Sequence, residues 1–209
     1  LYSHKEGGLD YYEYINGKGM LVVGGVQRDL YRGGFQYAVM NPSVSRDRGF
    51  YCTTMTKFEL KSTIFPDVTA VLNETQLTGG AIFPECNTIV DSGNDQGIGL
   101  VPQAYTEFMN FVSFASLEKK PELRECIQKE DFPLLPDLIF TLSDTATLTI
   151  QPEQYLFQAI PRGEKMCYHL GLFEYETNNN LGQAFLQTYY TVYDWQNARY
   201  GFAQIACAS

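Results

Sequence analysis

The chain has 209 residues, with 24 acidic and 15 basic side chains and a formal net charge of −9. That charge argues against non-specific binding to nucleic acid or to an anionic membrane, because both require a positive surface that displaces counterions. Aromatic residues make up 14% of the chain, which provides enough apolar surface for one folded domain, and no apolar run approaches the roughly 20 residues that cross a bilayer.

Short apolar runs separated by Gly, Pro, Asn and Asp predict a mainly β chain. These runs are rich in β-branched and aromatic residues, which suit a half-buried pleated surface. The predicted strands cover residues 20–23, 35–40, 50–60, 88–90, 138–142, 147–150, 189–193 and 200–203. The last two are separated by a short polar segment, which predicts a hairpin.

One segment has helical periodicity. From Pro102 onwards, apolar side chains recur every three or four residues and share one helix face. They are Tyr105, Phe108, Phe111, Val112 and Ala115. Proline favours the first turn of a helix, and the sequence Lys119-Lys120-Pro121 is typical of a helix end. The charged residues 118–130 form a second short helix or a loop, so we expect one mainly β domain with one or two helices.

The five cysteines indicate an oxidising compartment rather than a metal site. None has the spacing of a zinc ligand, and the two histidines, His4 and His169, lie far apart, so we expect no metal and no cofactor. Widely spaced cysteines suggest disulfides and an oxidising environment. The sequon at Asn73 predicts glycosylation and agrees with the secretory pathway. Because five is odd, at least one cysteine is free or pairs outside this chain.

The segment Ile89-Val90-Asp91-Ser92-Gly93 is the candidate for chemistry. An apolar strand here delivers a carboxylate to a tight turn. A small hydroxyl residue and a glycine then let backbone N–H groups approach that carboxylate and orient it. By itself the motif is also typical of an ordinary turn aspartate.

Four further segments accompany Asp91 in a fixed order. They are Gly19-Met20-Leu21-Val22-Val23-Gly24-Gly25-Val26, Leu135-Pro136-Asp137-Leu138-Ile139-Phe140, Tyr155-Leu156, and the run from Leu181-Gly182 to Asp194 that ends in Gly201-Phe202-Ala203. Together they resemble the C-terminal lobe of pepsin-like aspartic proteases over most of the chain. The resemblance implies a pepsin-like acid protease fold, mainly β, with residues 1–209 as a single C-terminal lobe.

The resemblance also implies a mechanism. Each of two lobes supplies one Asp-Thr/Ser-Gly turn, and the two carboxylates, about 3 Å apart, share one proton. One activates a water molecule and the other protonates the scissile carbonyl, without a covalent intermediate. Asp91 is then one member of the dyad. No second motif occurs here, so the expected partners are an N-terminal lobe, as a separate chain or a removed segment, and a peptide or protein substrate.

Roles for neighbouring residues follow from the same resemblance. Ser92 supplies the interlobe hydroxyl and Gly93 the close-packed turn, while Leu181-Gly182 crosses beneath the catalytic loop. Phe50 matches a cleft aromatic residue.

The turn departs from the family at the next positions. Asn94 stands where the family has a Thr or Ser whose hydroxyl bonds the carboxylate, and the Asn94 amide can donate in its place. Asp95 adds a charge that would raise the pKa of Asp91 if it faced the site.

The cysteine positions imply two disulfides. Cys126 and Cys167 match the common bridge of the lobe. Cys86 and Cys207 resemble an extra bridge of the β-secretase (memapsin) branch. Cys52 is left to bond another lobe or chain, or to remain a buried thiol.

Three functions stay open at this point. The first is an aspartic endopeptidase of an extracellular or acidic endosomal or lysosomal compartment. The second is a catalytically inactive aspartic-protease-like protein that binds a peptide or protein. The third is a surface protein that uses the lobe as a β-scaffold. We expect Asp194 to serve a structural turn, and Tyr189 and Tyr190 to serve packing.

Overall fold

The structure is a computed structural model that describes residues 2–6, 9–13, 20–41, 51–78 and 86–206. The strands are β1 (Tyr2–Glu6), β2 (Leu9–Glu13), β3 (Met20–Val23), β4 (Tyr31–Val39), β5 (Cys52–Thr53), β6 (Met55–Lys61), β7 (Ala70–Asn73), β8 (Thr88–Val90), β9 (Ile98–Leu100), β10 (Asp137–Leu142), β11 (Ala146–Ile150), β12 (Leu156–Arg162), β13 (Lys165–Leu170), β14 (Leu172–Glu174), β15 (Asn179–Leu181), β16 (Tyr189–Asp194) and β17 (Arg199–Ile205). The helices are α1 (Glu74–Thr78), α2 (Pro102–Glu118), α3 (Pro152–Tyr155) and α4 (Gln183–Leu186). The fold is mainly β, as the sequence predicts.

A mixed five-stranded sheet carries the candidate site. Its order is β14-β9-β15-β8-β5, with β15 parallel to β8 and β14 parallel to β9. Strands β15 and β9 are antiparallel, as are β5 and β8. Because β15 lies between β8 and β9, its side chains flank the turn that joins those two strands.

An antiparallel four-stranded sheet, β11-β10-β6-β7, supplies much of the core. Along β10, buried Leu138, Phe140 and Leu142 alternate with half-buried residues, which is the period of a strand with one face in the core. Phe58 of β6 lies opposite Phe140 in the register, with ring centroids 5.4 Å apart. The alternation that the sequence shows therefore determines which face is buried.

The sequence predicts one continuous strand over residues 50–60, and this prediction is wrong, because the structure has two strands there. It is interrupted at Thr54, and its two parts join different sheets, since β5 pairs with β8 and β6 pairs with β10. The chain crosses from one sheet to the other at this residue. A pattern of strand-forming side chains cannot reveal such a crossing, because both parts have the same local preference.

The helix predicted from Pro102 is confirmed. In α2, Phe108, Phe111 and Val112 are buried on one face, and the helix contacts β9 and β14. The charged segment after it contains two 3-10 turns, Pro121–Arg124 and Lys129–Leu134, rather than a second α-helix. No helix in the described part of the chain is long and apolar enough to span a membrane.

A three-stranded antiparallel sheet, β16-β17-β4, forms another layer. It confirms the predicted hairpin, with Tyr193 paired to Tyr200. The predicted strand 35–40 belongs to it but begins earlier, at Tyr31. Tyr189 is buried and its hydroxyl bonds the backbone of Thr149, so its packing role is confirmed.

A chain of aromatic side chains connects the four-stranded sheet to the three-stranded sheet. Its ring contacts run through Phe58, Phe140, Phe185, Phe202, Tyr200 and Tyr193. Neighbouring centroids along it lie 5.4 to 6.5 Å apart, within the range of favourable aromatic pairs. One continuous core therefore supports both sheets.

One predicted disulfide is confirmed and the other is wrong. Cys126 is bonded to Cys167, but Cys86 is bonded to Cys52 with their Cα atoms 5.4 Å apart. The reason is strand pairing: β5 lies antiparallel to β8 with Cys52 opposite Ile89, and Cys86 lies two residues before β8 begins. Cys207 lies outside the described residues.

Candidate active site

Asp91 occupies the turn that follows β8. Its backbone N–H donates to the carbonyl of Leu181 in β15 over 3.1 Å, and its own carbonyl accepts from the N–H of Asn94 over 3.3 Å. The backbone N–H of Gly93 donates to Asp91 Oδ1 over 2.8 Å. The turn therefore orients the carboxylate through its own backbone, while Ser92 and Gly93 are exposed.

The second carboxylate oxygen is bonded from β15. Asn180 is only 5% exposed, and its Nδ2 donates to Asp91 Oδ2 over 3.1 Å. Sequence reasoning identified Leu181-Gly182 but missed Asn180. A signal was present, because residues 178–180 are three consecutive asparagines and a buried strand is an unusual place for them.

Asn94 acts differently from the expectation. Its Nδ2 does not donate to Asp91 but to Asn180 Oδ1 over 2.8 Å and to the carbonyl of Gly97 over 3.2 Å. Its Oδ1 accepts from the backbone N–H of Gln96 over 3.0 Å. The side chain of Asn94 is thus connected to the carboxylate only through Asn180, as two amides in series.

Gly182 is the residue that makes room for this arrangement. A Cβ atom at this position would collide with the side-chain amide of Asn94 and the carbonyl oxygen of Gly97. The backbone N–H of Gln183 also donates to the carbonyl of Asn94 over 2.9 Å, so the crossing segment is bonded to the turn. Leu181 beside it is fully buried.

Two further buried asparagines lie beneath the turn. Asn179 Oδ1 accepts from the N–H of Val101, and its Nδ2 donates to the carbonyl of Asn87 over 3.1 Å. Asn87 in turn bonds both backbone groups of Met55. This polar layer connects β6, β8, β15 and the start of α2, because each amide both donates and accepts.

These features agree with the comparisons. A sequence model of the family described as "Eukaryotic aspartyl protease" matches residues 10–205. The chain belongs to the aspartyl protease family. It is also similar to Plasmepsin I from two isolates of Plasmodium falciparum, with 30% identity over 190 residues in each case. That match covers 89% of this chain and 35% of the relative, so the chain spans about a third of the length of these curated relatives.

An aromatic cluster lies beside the Asp91 turn of this aspartyl protease chain. The Tyr51 and Tyr193 ring centroids are 4.6 Å apart, and those of Tyr51 and Trp195 are 5.5 Å apart. Burial raises the pKa of Tyr193 to about 12, with smaller contributions from Tyr51 and from the charge of Asp91. Tyr193 is therefore neutral across the acidic and neutral range.

Tyr200 lies beneath this cluster, fully buried, and its hydroxyl has no hydrogen-bond partner among the described residues. Burial is also the main cause that raises the pKa of this hydroxyl above its usual range. Phe50, the predicted cleft aromatic residue, lies outside the described residues.

Two other acidic residues, Asp194 and Asp95, serve structure or lie on the surface. Asp194 accepts hydrogen bonds from the Asn197 side chain and from Arg199, which lower its pKa and confirm its structural turn. Asp95 is exposed. In the described ranges, no three His, Cys, Asp or Glu side chains form a cluster that could hold a metal ion.

Proposed function

We propose that this chain is the C-terminal lobe of an aspartic endopeptidase and that Asp91 is one of its two catalytic carboxylates. The single observation that carries the proposal is the environment of Asp91. Both of its oxygens accept hydrogen bonds at the end of a buried strand, and the turn residues Ser92 and Gly93 are exposed. Family membership supports this interpretation.

The chemistry needs a second carboxyl group from an N-terminal lobe. A water molecule gives one proton to the ionised carboxylate while its oxygen attacks the carbonyl carbon, and the protonated partner gives its proton to the carbonyl oxygen. The resulting gem-diol collapses as the C–N bond breaks. The amide nitrogen takes the first proton and the diol returns the second, so an acid and an amine leave and the dyad regains its single shared proton.

The length of the relatives supports a larger functional unit. Because the match covers 35% of Plasmepsin I, that relative has room for a second lobe outside the matched part. The exposed hydroxyl of Ser92 is suited to bond that lobe, and the cleft between the lobes binds the peptide or protein substrate.

The two disulfides fit an oxidising secretory or lysosomal-type compartment. Asn73 is exposed, and its side-chain oxygen accepts the N–H of Gln76 at the start of α1. Its Nδ2 thus remains accessible for glycosylation. The cysteine pairing on which the likeness to the β-secretase branch depended is not the one observed, so we propose no branch.

One observation favours a second candidate, a catalytically inactive relative that binds a peptide or protein. Asn94 replaces the Thr or Ser of the family, and its side chain donates to Asn180 and Gly97 rather than to the Asp91 carboxylate. If two amides cannot substitute for a hydroxyl in the transition state, the cleft retains binding without hydrolysis.

The test uses the complete protein and a peptide library at acidic pH, with and without pepstatin. We expect Asp91→Asn to reduce cleavage by about 100-fold or more, because it removes the general base. The matched control is Asp95→Asn, which changes an exposed carboxylate in the same turn and should leave the rate unchanged. Cleavage by Asp91→Asn at the wild-type rate would refute the role of Asp91. Pepstatin binding without cleavage would favour the inactive relative.

A further inference from the structure

Backbone groups determine which side-chain atoms donate and which accept in the hydrogen bonds that lead to Asp91. The N–H of Gln96 can only donate and the carbonyl of Gly97 can only accept, so together they orient the Asn94 side chain with its oxygen toward the first and its nitrogen toward the second. Asn94 therefore presents N–H to Asn180. Asn180 must then accept with Oδ1 and donate with Nδ2 to Asp91.

The reverse orientation of Asn180 is unfavourable at both ends. It would place Oδ1 against Asp91 Oδ2, where two acceptors repel, and Nδ2 against the Nδ2 of Asn94, where two donors repel. Because Asn180 is buried, water cannot compensate for those lost bonds. The backbone groups therefore fix the orientation of both side-chain amides, and Asn180 can only donate to the carboxylate.

A side-chain amide differs in one respect from the hydroxyl that the family uses. A hydroxyl can rotate and either donate to a carboxylate or accept from a protonated carboxyl group, whereas Nδ2 of an oriented amide only donates. With Gly93 N–H on Oδ1 and Asn180 Nδ2 on Oδ2, both Asp91 oxygens are held as acceptors. Hydrogen bonds of this kind favour the charged form of a carboxylate.

We propose that Asn94 and Asn180 form an amide relay that keeps Asp91 ionised, so that the shared proton of the dyad resides on the carboxyl group of the other lobe. Asp91 is then the member that accepts the proton of the attacking water. Asn94 and Asn180 are positioning residues, because they act through Asp91. This assignment rests on the proposed function for its catalytic meaning, but the relay itself is a property of this lobe.

The charges around Asp91 are compatible with the relay. Tyr193 in β16 is an ionisable side chain that lies close enough to Asp91 to interact with its charge. The high pKa of Tyr193 keeps this side chain neutral. In the turn itself, Asp95 is exposed. From β15, the contact is the uncharged amide of Asn180. The donors at the two oxygens are thus the direct partners of the carboxylate among the described residues.

The first test removes the donor. In the complete two-lobed protein, NMR titration of the Asp91 carboxyl carbon should show that Asn180→Leu moves protonation of Asp91 to higher pH by about one unit, the effect of one hydrogen bond to a charged group. On the acid limb, kcat/KM should fall about tenfold, since less Asp91 is ionised, and the change at the plateau should be smaller. The control Asn178→Leu, two residues earlier on a half-buried side chain, should move neither quantity.

The second test reverses the polarity without changing the size of the side chain. In Asn94→Asp, the new carboxylate attracts Nδ2 of Asn180, which turns Oδ1 toward Asp91 and favours its protonation. Gln96→Glu adds the same charge at an exposed position two residues away. We expect Asn94→Asp to raise the Asp91 midpoint more than Gln96→Glu does. In the Asn180→Leu background, that excess should disappear.

Equal shifts from Asn94→Asp and Gln96→Glu, or an unchanged Asp91 midpoint in folded Asn180→Leu, would overturn the relay. If Asn180→Leu does not fold, the Asn94→Asp comparison decides alone. A loss of stability without movement of the Asp91 midpoint would reveal a purely structural role. If Asp91→Asn leaves peptidase activity intact, the proposed function fails while the NMR titration still tests the relay.

Discussion

Two regions next to the five-stranded sheet, the α2 side and the Asp91 side, are held together by different forces. Around α2, buried apolar side chains pack against one another, as Phe108 does against Tyr155 and Phe111 against Phe65. Around Asp91, buried amides connect backbone groups of separate strands. Apolar burial is non-directional and depends mainly on volume, whereas a buried amide loses stability as soon as one of its partners is missing.

This contrast indicates how each side responds to change. The α2 side should tolerate a change of shape that conserves volume, and its stability should follow the size of the cavity. The Asp91 side should tolerate little, because Asn94, Asn180 and Gly182 share the same small space. The loss of stability is therefore expected to follow the removed volume on the first side and the disrupted hydrogen bonds on the second.

The largest expected effect is on the α2 side. Phe108→Ala removes a fully buried ring in edge contact with Tyr155 and should lower the free energy of unfolding by about 3–5 kcal/mol. Urea denaturation measures this change. Leu117→Ala on the same helix, where the side chain is 83% exposed, should cost less than about 0.5 kcal/mol. Equal losses for the two variants would show that helix propensity rather than burial stabilises α2.

The next largest effect is expected from a substitution that disrupts the packing on the Asp91 side. Gly182→Ala places a methyl group against the Asn94 amide and the Gly97 carbonyl, so we expect a loss of about 1–3 kcal/mol in unfolding free energy and displacement of Asn94. Gly34→Ala is the control, since nothing lies within 4 Å of its added Cβ. A neutral Gly182→Ala variant would mean that the crossing segment packs more loosely than the structure shows.

Two buried tyrosine hydroxyls test the same comparison, that of Tyr155 on the α2 side and that of Tyr200 on the Asp91 side. The Tyr155 hydroxyl donates to the carbonyl of Pro136 over 2.8 Å, so Tyr155→Phe should cost about 1–2 kcal/mol. The Tyr200 hydroxyl is buried without a partner in the described part of the chain, so Tyr200→Phe should be neutral or stabilising. Chemical denaturation of both variants tests this order, and a greater loss for Tyr200→Phe would contradict it.

The smallest effect depends on pH. Burial, and then the charge of Glu153, raise the pKa of Asp137 in the folded state, while Lys61 lowers it. The unfolded chain therefore ionises Asp137 first, and this carboxylate reduces stability as the pH rises above about 4.

Asp137→Asn removes that penalty. Its thermal midpoint should exceed the wild-type value at neutral pH, and the difference should vanish below about pH 3, where both states are protonated. Glu176→Gln, at an exposed position, serves as the control and should show no difference at either pH. A wild-type midpoint at neutral pH above that of Asp137→Asn would reverse the sign and contradict the prediction.

Much of the fold could be predicted from local pattern. Alternation identified β10, three- and four-residue spacing identified α2, and the segment before the turn identified β8. Each of these elements is determined by the sequence of a few neighbouring residues. The short strands β9, β14 and β15 were missed, because three residues carry no measurable period and their pairing partners are distant in the sequence.

The candidate site was predictable in part for the same reason. Asp91 and Gly93 follow one another in a single turn, so the motif itself contains their hydrogen bond. Asn180 lies 89 residues from Asp91 and reaches it only because β15 is parallel to β8. The disulfide between Cys52 and Cys86 likewise depends on the neighbouring positions of β5 and β8.

The sequence by itself determined a mainly β chain, one long helix, the turn at Asp91 and the family to which these residues belong, because each is encoded in local periodicity or in a contiguous motif. Only the tertiary structure decided which groups touch the carboxylate and which cysteines pair. Those contacts join strands that are far apart in the chain, and parallel pairing of short strands brings them together.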